Sequence, residues 1–356
     1  MTTVLQKTIR DILTHEGPMT VEQYMKLCLS YYYRTRDPLG YQGDFVTSPE
    51  ISQMFGELIG LWVAQIWLDM GSPSSINWVE LGPGRGTLTC DALRAIRKVP
   101  RFLDKLSIHL VETSPVLREK QESVLEDYSV QWHEGLENLP QGITFFIANE
   151  FFDALPIRQY VKEQNDWYER LVGLRGEKFV FGLSPEPVSD IDFQAESGAV
   201  FEIPETGQRY MGTLAEHIAR NEGAILTIDY GYWGPSSGDT LQALYKHKFI
   251  SPLEKCGEAD LTSHVDFHAL AQEGWKRELS VHSLSTQREF LISLGIEMRA
   301  EILSRNAEPA VAREIEKSLK RLTEKGRTGM GDLFKVLCLS SSGIVHVPAL
   351  SRCQGE

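Results

Sequence analysis

Three glycines at alternate positions follow an acidic residue at the end of a short apolar run. The run is Trp78-Val79-Glu80-Leu81, and Gly82, Gly84 and Gly86 come directly after it. Glycine adopts left-handed backbone conformations and lets a ligand approach the main chain at distances that a Cβ atom would block. The segment therefore predicts a strand, a tight turn and the start of a helix, with a nucleotide bound at the turn.

The spacing of the glycines indicates the class of nucleotide. Dinucleotide-binding turns carry G-x-G-x-x-G and hold a pyrophosphate at a helix N-terminus, whereas the third glycine here comes one residue earlier. Because the carboxylate of Glu80 would repel a pyrophosphate and attract a cation, the turn resembles that of S-adenosylmethionine (SAM) methyltransferases. A nicotinamide-dependent oxidoreductase is the disfavoured alternative, and a tight turn without a ligand is the structural one.

Two further predicted strands carry side chains suited to the rest of this cofactor. Leu106–Val111 is a short apolar strand followed by Glu112, and an acid at the end of the second strand of a doubly wound sheet binds ribose hydroxyls. The next strand, Ser129–Glu134, places Trp132 or His133 beside the adenine. The alternatives are a solvated carboxylate for Glu112 and a core aromatic for Trp132.

The strongest candidates for catalysis follow a fourth apolar strand, Ile143–Ala148. Asn149, Glu150 and Asp153 come at its carboxyl end, where open α/β sheets bind their ligands. Methyltransferases that act on exocyclic base amines carry two prolines here, and this chain lacks them. Two carboxylates three residues apart favour a cationic substrate instead, and capping of the following turn is the structural alternative.

Periodicity and turn signals indicate the elements that position these residues. Short helices are predicted over 5–15 and 20–30, followed by a loop rich in Gly, Pro and Asp. In this loop Gly43 and Thr47 are expected to contact the cofactor as part of a lid, with a structural turn as the alternative. A Ser-Pro-Glu triplet then begins a predicted helix over 48–62, because it supplies a capping hydroxyl, a proline at the first helical position and an early acid.

The length of 356 residues and the hydrophobic content of 42% predict more than one ordinary domain and a large core. The predicted fold class is α/β, with a Rossmann-like, doubly wound seven-stranded sheet, an N-terminal helical extension and a β-rich insertion. The predicted division is an extension with a lid (1–70), two halves of the core (71–156 and 206–345), the insertion (157–205) and a tail (346–356).

Charge and cysteine content restrict the partners and the compartment. The net charge of −13 argues against nucleic acid as the main partner, and five scattered cysteines without C-x-x-C spacing indicate a reducing compartment. With no long apolar run, signal peptide or transit peptide in the sequence, we expect a cytoplasmic, bacterial protein without membrane insertion. His264 and His268 are four residues apart on a predicted helix, but no third ligand has suitable spacing, so no metal is expected.

Several motifs together resemble those of the MidA family. They are Asp37-Pro38, Gly43–Ile51, Glu80–Gly86, Asn149–Pro156, Ala259–Phe267 and Thr286-Gln287. They extend over most of the chain, which departs from the family at Cys256, where a proline is expected before the glycine. The resemblance implies a class I SAM-dependent methyltransferase. Mitochondrial members of the family are complex I assembly factors that dimethylate an arginine of a core subunit.

The resemblance also implies which residues hold the cofactor. Those for the methionine end of SAM are Glu80, Gly82, Gly84 and Gly86, and Glu112 would bind the ribose. If arginine is the acceptor, its guanidinium has a pKa above 12 and a delocalised lone pair, so Glu150 and Asp153 are the hypothesised pair that orients it and accepts its proton. The implied partner is a protein substrate with a target arginine, and a homodimer is left open. A SAM-binding assembly protein without turnover is the alternative function.

Overall fold

A computed structural model describes residues 3–35, 46–326 and 329–353. Its helices are α1 (Val4–His15), α2 (Val21–Thr35), α3 (Ser48–Ile51), α4 (Gln53–Asp69), α5 (Thr87–Ile96), α6 (Pro115–Val124), α7 (Glu205–Asn221), α8 (Phe267–Trp275), α9 (Gln287–Ser293), α10 (Ile296–Ser304), α11 (Pro309–Leu322) and α12 (Met330–Leu333). Its strands are β1 (Met19–Thr20), β2 (Ile76–Leu81), β3 (Leu106–Val111), β4 (Val130–His133), β5 (Thr144–Asn149), β6 (Arg158–Glu163), β7 (Asp166–Arg175), β8 (Lys178–Leu183), β9 (Val200–Ile203), β10 (Gly223–Tyr232), β11 (Gln242–Tyr245), β12 (Lys248–Ile250), β13 (Asp260–Thr262), β14 (Val265–Asp266), β15 (Ser280–Val281), β16 (Ser285–Thr286) and β17 (Phe334–Ser340).

The described residues form two units, each assembled from three separate stretches of the chain. Of the described residues, 3–35, 152–210 and 232–269 belong to the first unit, and the remainder belong to the second unit. The helices α1 and α2 therefore group with the strands of the predicted insertion, whereas α3 and α4 group with the predicted core. None of the helices in the described ranges has both the length and the apolar character that a membrane span requires.

The second unit contains the sheet that leads into the glycine turn. Its strands follow the order β15-β17-β10-β5-β2-β3-β4, with β16 also beside β17. From β4 to β10 each neighbouring pair is parallel, and β17 is antiparallel to β10. β2 and β5 are buried along their whole length, as expected for central strands covered on both faces. The predicted α/β fold is confirmed, with an antiparallel edge that makes the sheet mixed.

The helix that follows the glycine turn, α5, packs closely against α4. A Cβ atom on Gly56 would lie 2.7 Å from the carbonyl oxygen of Leu88, and a Cβ atom on Gly60 would lie 2.8 Å from the Cα atom of Ala92. The two helix backbones are thus closer than a side chain between them would allow. This contact fixes the position of α5 and of the turn that precedes it.

The predicted helix over 48–62 is interrupted at Ser52. α3 ends at Ile51, and Ser52 has extended backbone angles of −162° and 139°. Its side chain accepts a hydrogen bond from the amide of Met54 at 3.2 Å, so it caps a new helix, α4. The residue that flanks α3 at its N-terminus is Thr47, and Ser48 is the first residue of the helix.

The first unit is built around antiparallel strands. They follow the order β1-β7-β6-β9, with β8 also paired to β7, and β12-β11-β13 form a smaller sheet. Buried residues of the N-terminal helices, such as Ile9 and Tyr24, share a core with Val172 of β7 and Ala243 of β11. The strands of the predicted insertion therefore share one hydrophobic core with the N-terminal helices.

Candidate functional site

The glycine turn lies at the carboxyl end of β2, whose parallel neighbours are β3 and β5. Gly82, Gly84 and Gly86 have φ angles of +59°, +55° and +81°, in the left-handed region that other residues disfavour. A Cβ atom on Gly82 would also lie 3.0 Å from Cδ2 of Phe151. The turn at the N-terminus of α5 thus requires small residues.

Glu80 is a buried carboxylate directly before the turn, with 3% of its surface exposed. Thr89 of α5 donates a hydrogen bond from its hydroxyl to Glu80 Oε2, and Trp78 Nε1 donates to the same hydroxyl at 2.8 Å. Burial raises the pKa of Glu80 to about 7, against the effect of Thr89 and with a further contribution from the charge of Glu112. The carboxylate is therefore poised to ionise fully when a cationic group binds beside it.

Glu112 is a second buried carboxylate, directly after β3, with 7% exposed. Its Oε1 accepts a hydrogen bond from the amide of Ser114 at 2.7 Å, and its Oε2 accepts one from Gln121 Nε2 at 3.1 Å. Burial raises the pKa of Glu112, and these hydrogen bonds oppose the shift. Two carboxylates thus lie buried at the ends of adjacent parallel strands.

Trp132 and His133, which the sequence places beside the adenine, have different surroundings. Trp132 packs against the core of the second unit and donates from Nε1 to Gln121 Oε1 at 2.9 Å. His133 Nε2 lies 3.0 Å from Nδ1 of His109, and burial lowers the pKa of both imidazoles, so both are neutral at pH 7. Since successive residues of a strand point to opposite faces, these two side chains lie on different faces of β4. Their contact with adenine stays a prediction.

The short helix α3 is tied to the turn and to the end of β5. Glu50 Oε1 accepts a hydrogen bond from the hydroxyl of Thr87 at 2.5 Å, and Glu50 Oε2 lies 3.6 Å from the guanidinium of Arg85. The amide of Ser48 donates to Glu150 Oε1 at 2.8 Å. The helix that directly follows the predicted lid segment is thus anchored beside both parts of the candidate site.

Of the two residues expected to contact the cofactor from this segment, only one can be located. Gly43 lies outside the described residues. Thr47 flanks α3 without a side-chain hydrogen bond to the helix, and its predicted cofactor contact stays a prediction. The next residue, Ser48, is buried and donates from its hydroxyl to Gln287 Oε1 at 3.2 Å.

Asn149 and Glu150 occupy the carboxyl end of β5. Asn149 Nδ2 donates to Glu150 Oε1 at 3.1 Å, which orients the amide. The other amide atom, Asn149 Oδ1, is buried and has no hydrogen-bond partner among the described residues. Glu150 has a φ of +50°, a conformation that costs a non-glycine residue about 1–2 kcal/mol. An unsatisfied buried acceptor beside a strained residue is characteristic of functional sites.

Asp153 belongs to the first unit, whereas Glu150 belongs to the second. Within its own unit, the Asp153 carbonyl oxygen accepts a hydrogen bond from the amide of Ser263 at 3.0 Å. Its carboxylate also contributes, after burial and Asp260, to raising the pKa of Tyr33. The three residues proposed for catalysis thus do not form one cluster within one unit, and the role of Asp153 stays a prediction.

The two histidines at 264 and 268 do not share a helix. α8 begins at Phe267, because Asp266 Oδ1 accepts hydrogen bonds from the amides of His268 at 3.0 Å and Ala269 at 3.1 Å. His264 therefore precedes the helix. Within residues 3–35, 46–326 and 329–353, no group of three or more His, Cys, Asp and Glu side chains is arranged to hold a metal ion.

Two residues that the sequence did not single out hold the predicted site together. Gln121 is fully buried between the turn and Glu112, and Thr89 positions the carboxylate of Glu80. Gln121 has one local signal. It lies four residues from Leu117 and four from Leu125, on the same face of the helix, so a polar residue stands where an apolar one is expected. For Thr89 there is no comparable signal.

These residues fit SAM. A glycine turn with a left-handed backbone, a buried carboxylate that favours a cation and a second buried carboxylate after the adjacent strand match the charge and the donors of this cofactor. The observation that decides the fit is the buried carboxylate of Glu80 beside the turn, because it would attract a bound ammonium group and repel a pyrophosphate.

Comparison with known proteins identifies the same cofactor. A model of a family of S-adenosyl-L-methionine-dependent methyltransferases matches residues 58–285. The mitochondrial protein arginine methyltransferase NDUFAF7 homolog of Drosophila melanogaster is 35% identical, over 94% of this chain and 84% of its own. The human protein arginine methyltransferase NDUFAF7, also mitochondrial, is 33% identical over 91% and 80%. A COG1565 superfamily member from Burkholderia thailandensis, crystallised with S-adenosyl-homocysteine, has a TM-score of 0.82 at 26% identity and covers 97% of this chain and 93% of its own.

The expectation of a cytoplasmic, bacterial protein is wrong. The curated relatives are named as mitochondrial proteins of animals. Apolar runs and the composition of the first residues do not separate a bacterial protein from relatives of this kind.

The fold and the cofactor agree with the similarity in sequence. The match to the family model covers more than half of the chain, and the relatives are 33% to 36% identical over most of it. The resemblance to the MidA family is thereby confirmed. The chain belongs to the family of SAM-dependent methyltransferases that includes the NDUFAF7 proteins.

Proposed function

We propose that this methyltransferase transfers a methyl group from SAM to a guanidinium nitrogen of an arginine side chain in a protein, and that this protein is a core subunit of respiratory complex I. The observation that carries the proposal is the identity of 33% to 36% to proteins named as arginine methyltransferases. The resemblance to the MidA family supports the same substrate class.

The cofactor, when bound, supplies an electrophilic methyl group on a sulfonium. Glu80 and the glycine turn bind its methionine end, and Glu112 accepts hydrogen bonds from its ribose. Glu80 contributes more than a hydrogen bond, because it is buried and its ionised form is stabilised by a cation. The residues of the second unit thus hold the cofactor at the carboxyl ends of β2 and β3.

The acceptor presents a different problem, since a protonated guanidinium has no localised lone pair. A carboxylate can align it through charge-assisted hydrogen bonds and accept its proton. Glu150 is suited to this role because the amide of Ser48 and the side chain of Asn149 hold its Oε1. Asn149 Oδ1 is a buried acceptor without a partner among the described residues, which supports its proposed role of accepting an N–H hydrogen bond from the same substrate group. Asp153 is the second proposed carboxylate.

The first experiment is calorimetric titration with SAM, S-adenosyl-homocysteine and NADH. We expect binding of the first two and none of NADH. The Gly84→Val variant should bind none of them, because its φ of +55° is unfavourable for valine. Binding of NADH in place of SAM would contradict the cofactor assignment.

The second experiment measures methyl transfer to recombinant complex I core subunits by mass spectrometry of arginine residues. Glu150→Gln and Asp153→Asn should each lose transfer by at least 100-fold, as expected for a general base, and keep SAM affinity. Glu122→Gln, on the exposed face of α6, is the matched control. Full transfer by both site variants would refute the assigned roles. SAM binding without any S-adenosyl-homocysteine production would favour the assembly protein without turnover.

A further inference from the structure

Gln121 connects three parts of the cofactor site that lie far apart in the sequence. Its Nε2 donates to the carbonyl oxygen of Gly84 at 2.7 Å and to Glu112 Oε2 at 3.1 Å, and its Oε1 accepts from Trp132 Nε1 at 2.9 Å. The side chain is fully buried. The amide therefore bridges the glycine turn, the strand end after β3 and the side chain of β4.

Trp132 sets the orientation of this amide. An indole Nε1 is only a donor, so the oxygen of the Gln121 amide must face Trp132. Both N–H groups are then directed at acceptors, the Gly84 carbonyl and the Glu112 carboxylate. The reversed orientation would place the amide oxygen against both of these acceptors and an N–H against the indole N–H, and all three contacts would be repulsive.

The bond to Glu112 leaves the carboxylate oriented for a ligand. An ionised carboxylate offers about four acceptor positions, and the amide of Ser114 and Gln121 Nε2 occupy one on each oxygen. Acceptor capacity remains on the carboxylate for the adjacent hydroxyls of a ribose. Without Gln121, the carboxylate would keep the hydrogen bond from Ser114 but lose its support at Oε2.

We propose that Gln121 is a positioning residue for SAM, which acts by orienting the carboxylate of Glu112 toward the ribose hydroxyls. This inference rests on the proposed role of Glu112 and is independent of the methyl acceptor. Failure of arginine methylation would therefore leave it untouched, because its test measures binding alone.

The test compares two ligands that differ only at the ribose. Gln121→Met keeps the approximate volume and removes both N–H groups. It should weaken the binding of S-adenosyl-homocysteine by on the order of tenfold, the usual effect of one charge-assisted hydrogen bond. The 2′,3′-dideoxy analogue lacks the hydroxyls that Glu112 would bind, so its weaker affinity should be the same for the wild type and the variant.

A double-variant cycle provides a second measurement. In a Glu112→Gln background, Gln121→Met should cause no further loss for S-adenosyl-homocysteine, since the two side chains act together. Gln131→Met is the matched control, because Gln131 is exposed on β4, and it should change neither affinity. Thermal unfolding without ligand reports on the folding of each variant.

Three outcomes would overturn the proposal. They are an unchanged affinity for S-adenosyl-homocysteine in Gln121→Met, an equal loss for both ligands, and additive losses in the double variant. If Gln121→Met does not fold, Trp132→Phe replaces it, because it removes the N–H that sets the amide orientation. This variant should show the same loss confined to the ligand with ribose hydroxyls, and an equal loss for both ligands would again refute the role.

Discussion

Replacing Glu80 by glutamine should stabilise the ligand-free protein at pH 8 and weaken its binding of SAM. Burial raises the pKa of Glu80 from 4.5 to about 7. Between these values the folded protein keeps a proton that the unfolded chain has released, so stability falls as pH rises through this window and then stays level. At about 1.36 kcal/mol per pKa unit, ionised Glu80 costs the fold about 3 kcal/mol above pH 7.

The assay is urea unfolding of the ligand-free proteins at pH 5 and pH 8. Glutamine is neutral at both pH values and still offers an oxygen to the hydroxyl of Thr89. We therefore expect the variant to gain about 3 kcal/mol over the wild type at pH 8, and much less at pH 5. Glu122→Gln, which removes the same charge from an exposed position, should change stability by less than about 0.5 kcal/mol at both pH values.

The affinity for ligand should rise with pH, whereas the stability of the ligand-free protein falls. With a pKa of about 7, the ionised fraction of Glu80 rises about tenfold from pH 6 to pH 8, so wild-type affinity for S-adenosyl-homocysteine should rise by a similar factor. The affinity of Glu80→Gln should be lower at pH 8 and nearly independent of pH. A variant that is no more stable than the wild type at pH 8 would refute the buried, ionisable state assigned to Glu80.

Two further predictions concern the framework behind the site. Gly56→Ala should destabilise the protein by about 1–3 kcal/mol in urea unfolding, because the added Cβ would lie 2.7 Å from the backbone of α5. Gly182→Ala is the control, because its added Cβ would meet no neighbouring atom. Equal losses of stability in the two variants would contradict the close packing of α4 and α5. Glu57 is buried and accepts hydrogen bonds from Arg299 at 2.7 and 3.0 Å, so Glu57→Gln should cost about 3 kcal/mol. Glu301→Gln, in an exposed ion pair, should cost less than about 1 kcal/mol. A loss of about 3 kcal/mol from this control would contradict the greater cost expected for the buried ion pair.

The sequence predicted the parts of the site that follow from local patterns. Glu80 and Glu112 each stand at the end of a short apolar run. In the structure Glu80 lies in β2 and Glu112 directly follows β3, and these two strands are adjacent and parallel. Such runs identify buried strands because their periodicity and bounding residues are local. The α/β class and the SAM turn were predictable for this reason, and the family resemblance added the enzyme class.

Other predictions were wrong because helix boundaries depend on hydrogen bonds from side chains to the backbone, which the spacing of apolar residues does not reveal. The apolar spacing over 48–62 suggested one helix, but the hydroxyl of Ser52 caps a new one. His264 and His268 have helical spacing, yet Asp266 begins the helix between them. In each case a single side chain that hydrogen-bonds to the backbone decided the boundary.

The sequence by itself determined which segments form the strands beside the glycine turn, because burial and turn formation depend on neighbours in the chain. Only the tertiary structure decided what those residues touch. Gln121 reaches the Gly84 carbonyl, and Glu50 reaches Thr87, across 37 positions in each case. These bonds depend on how helices pack on the sheet, and the pattern of a segment does not indicate which distant groups its polar side chains will contact.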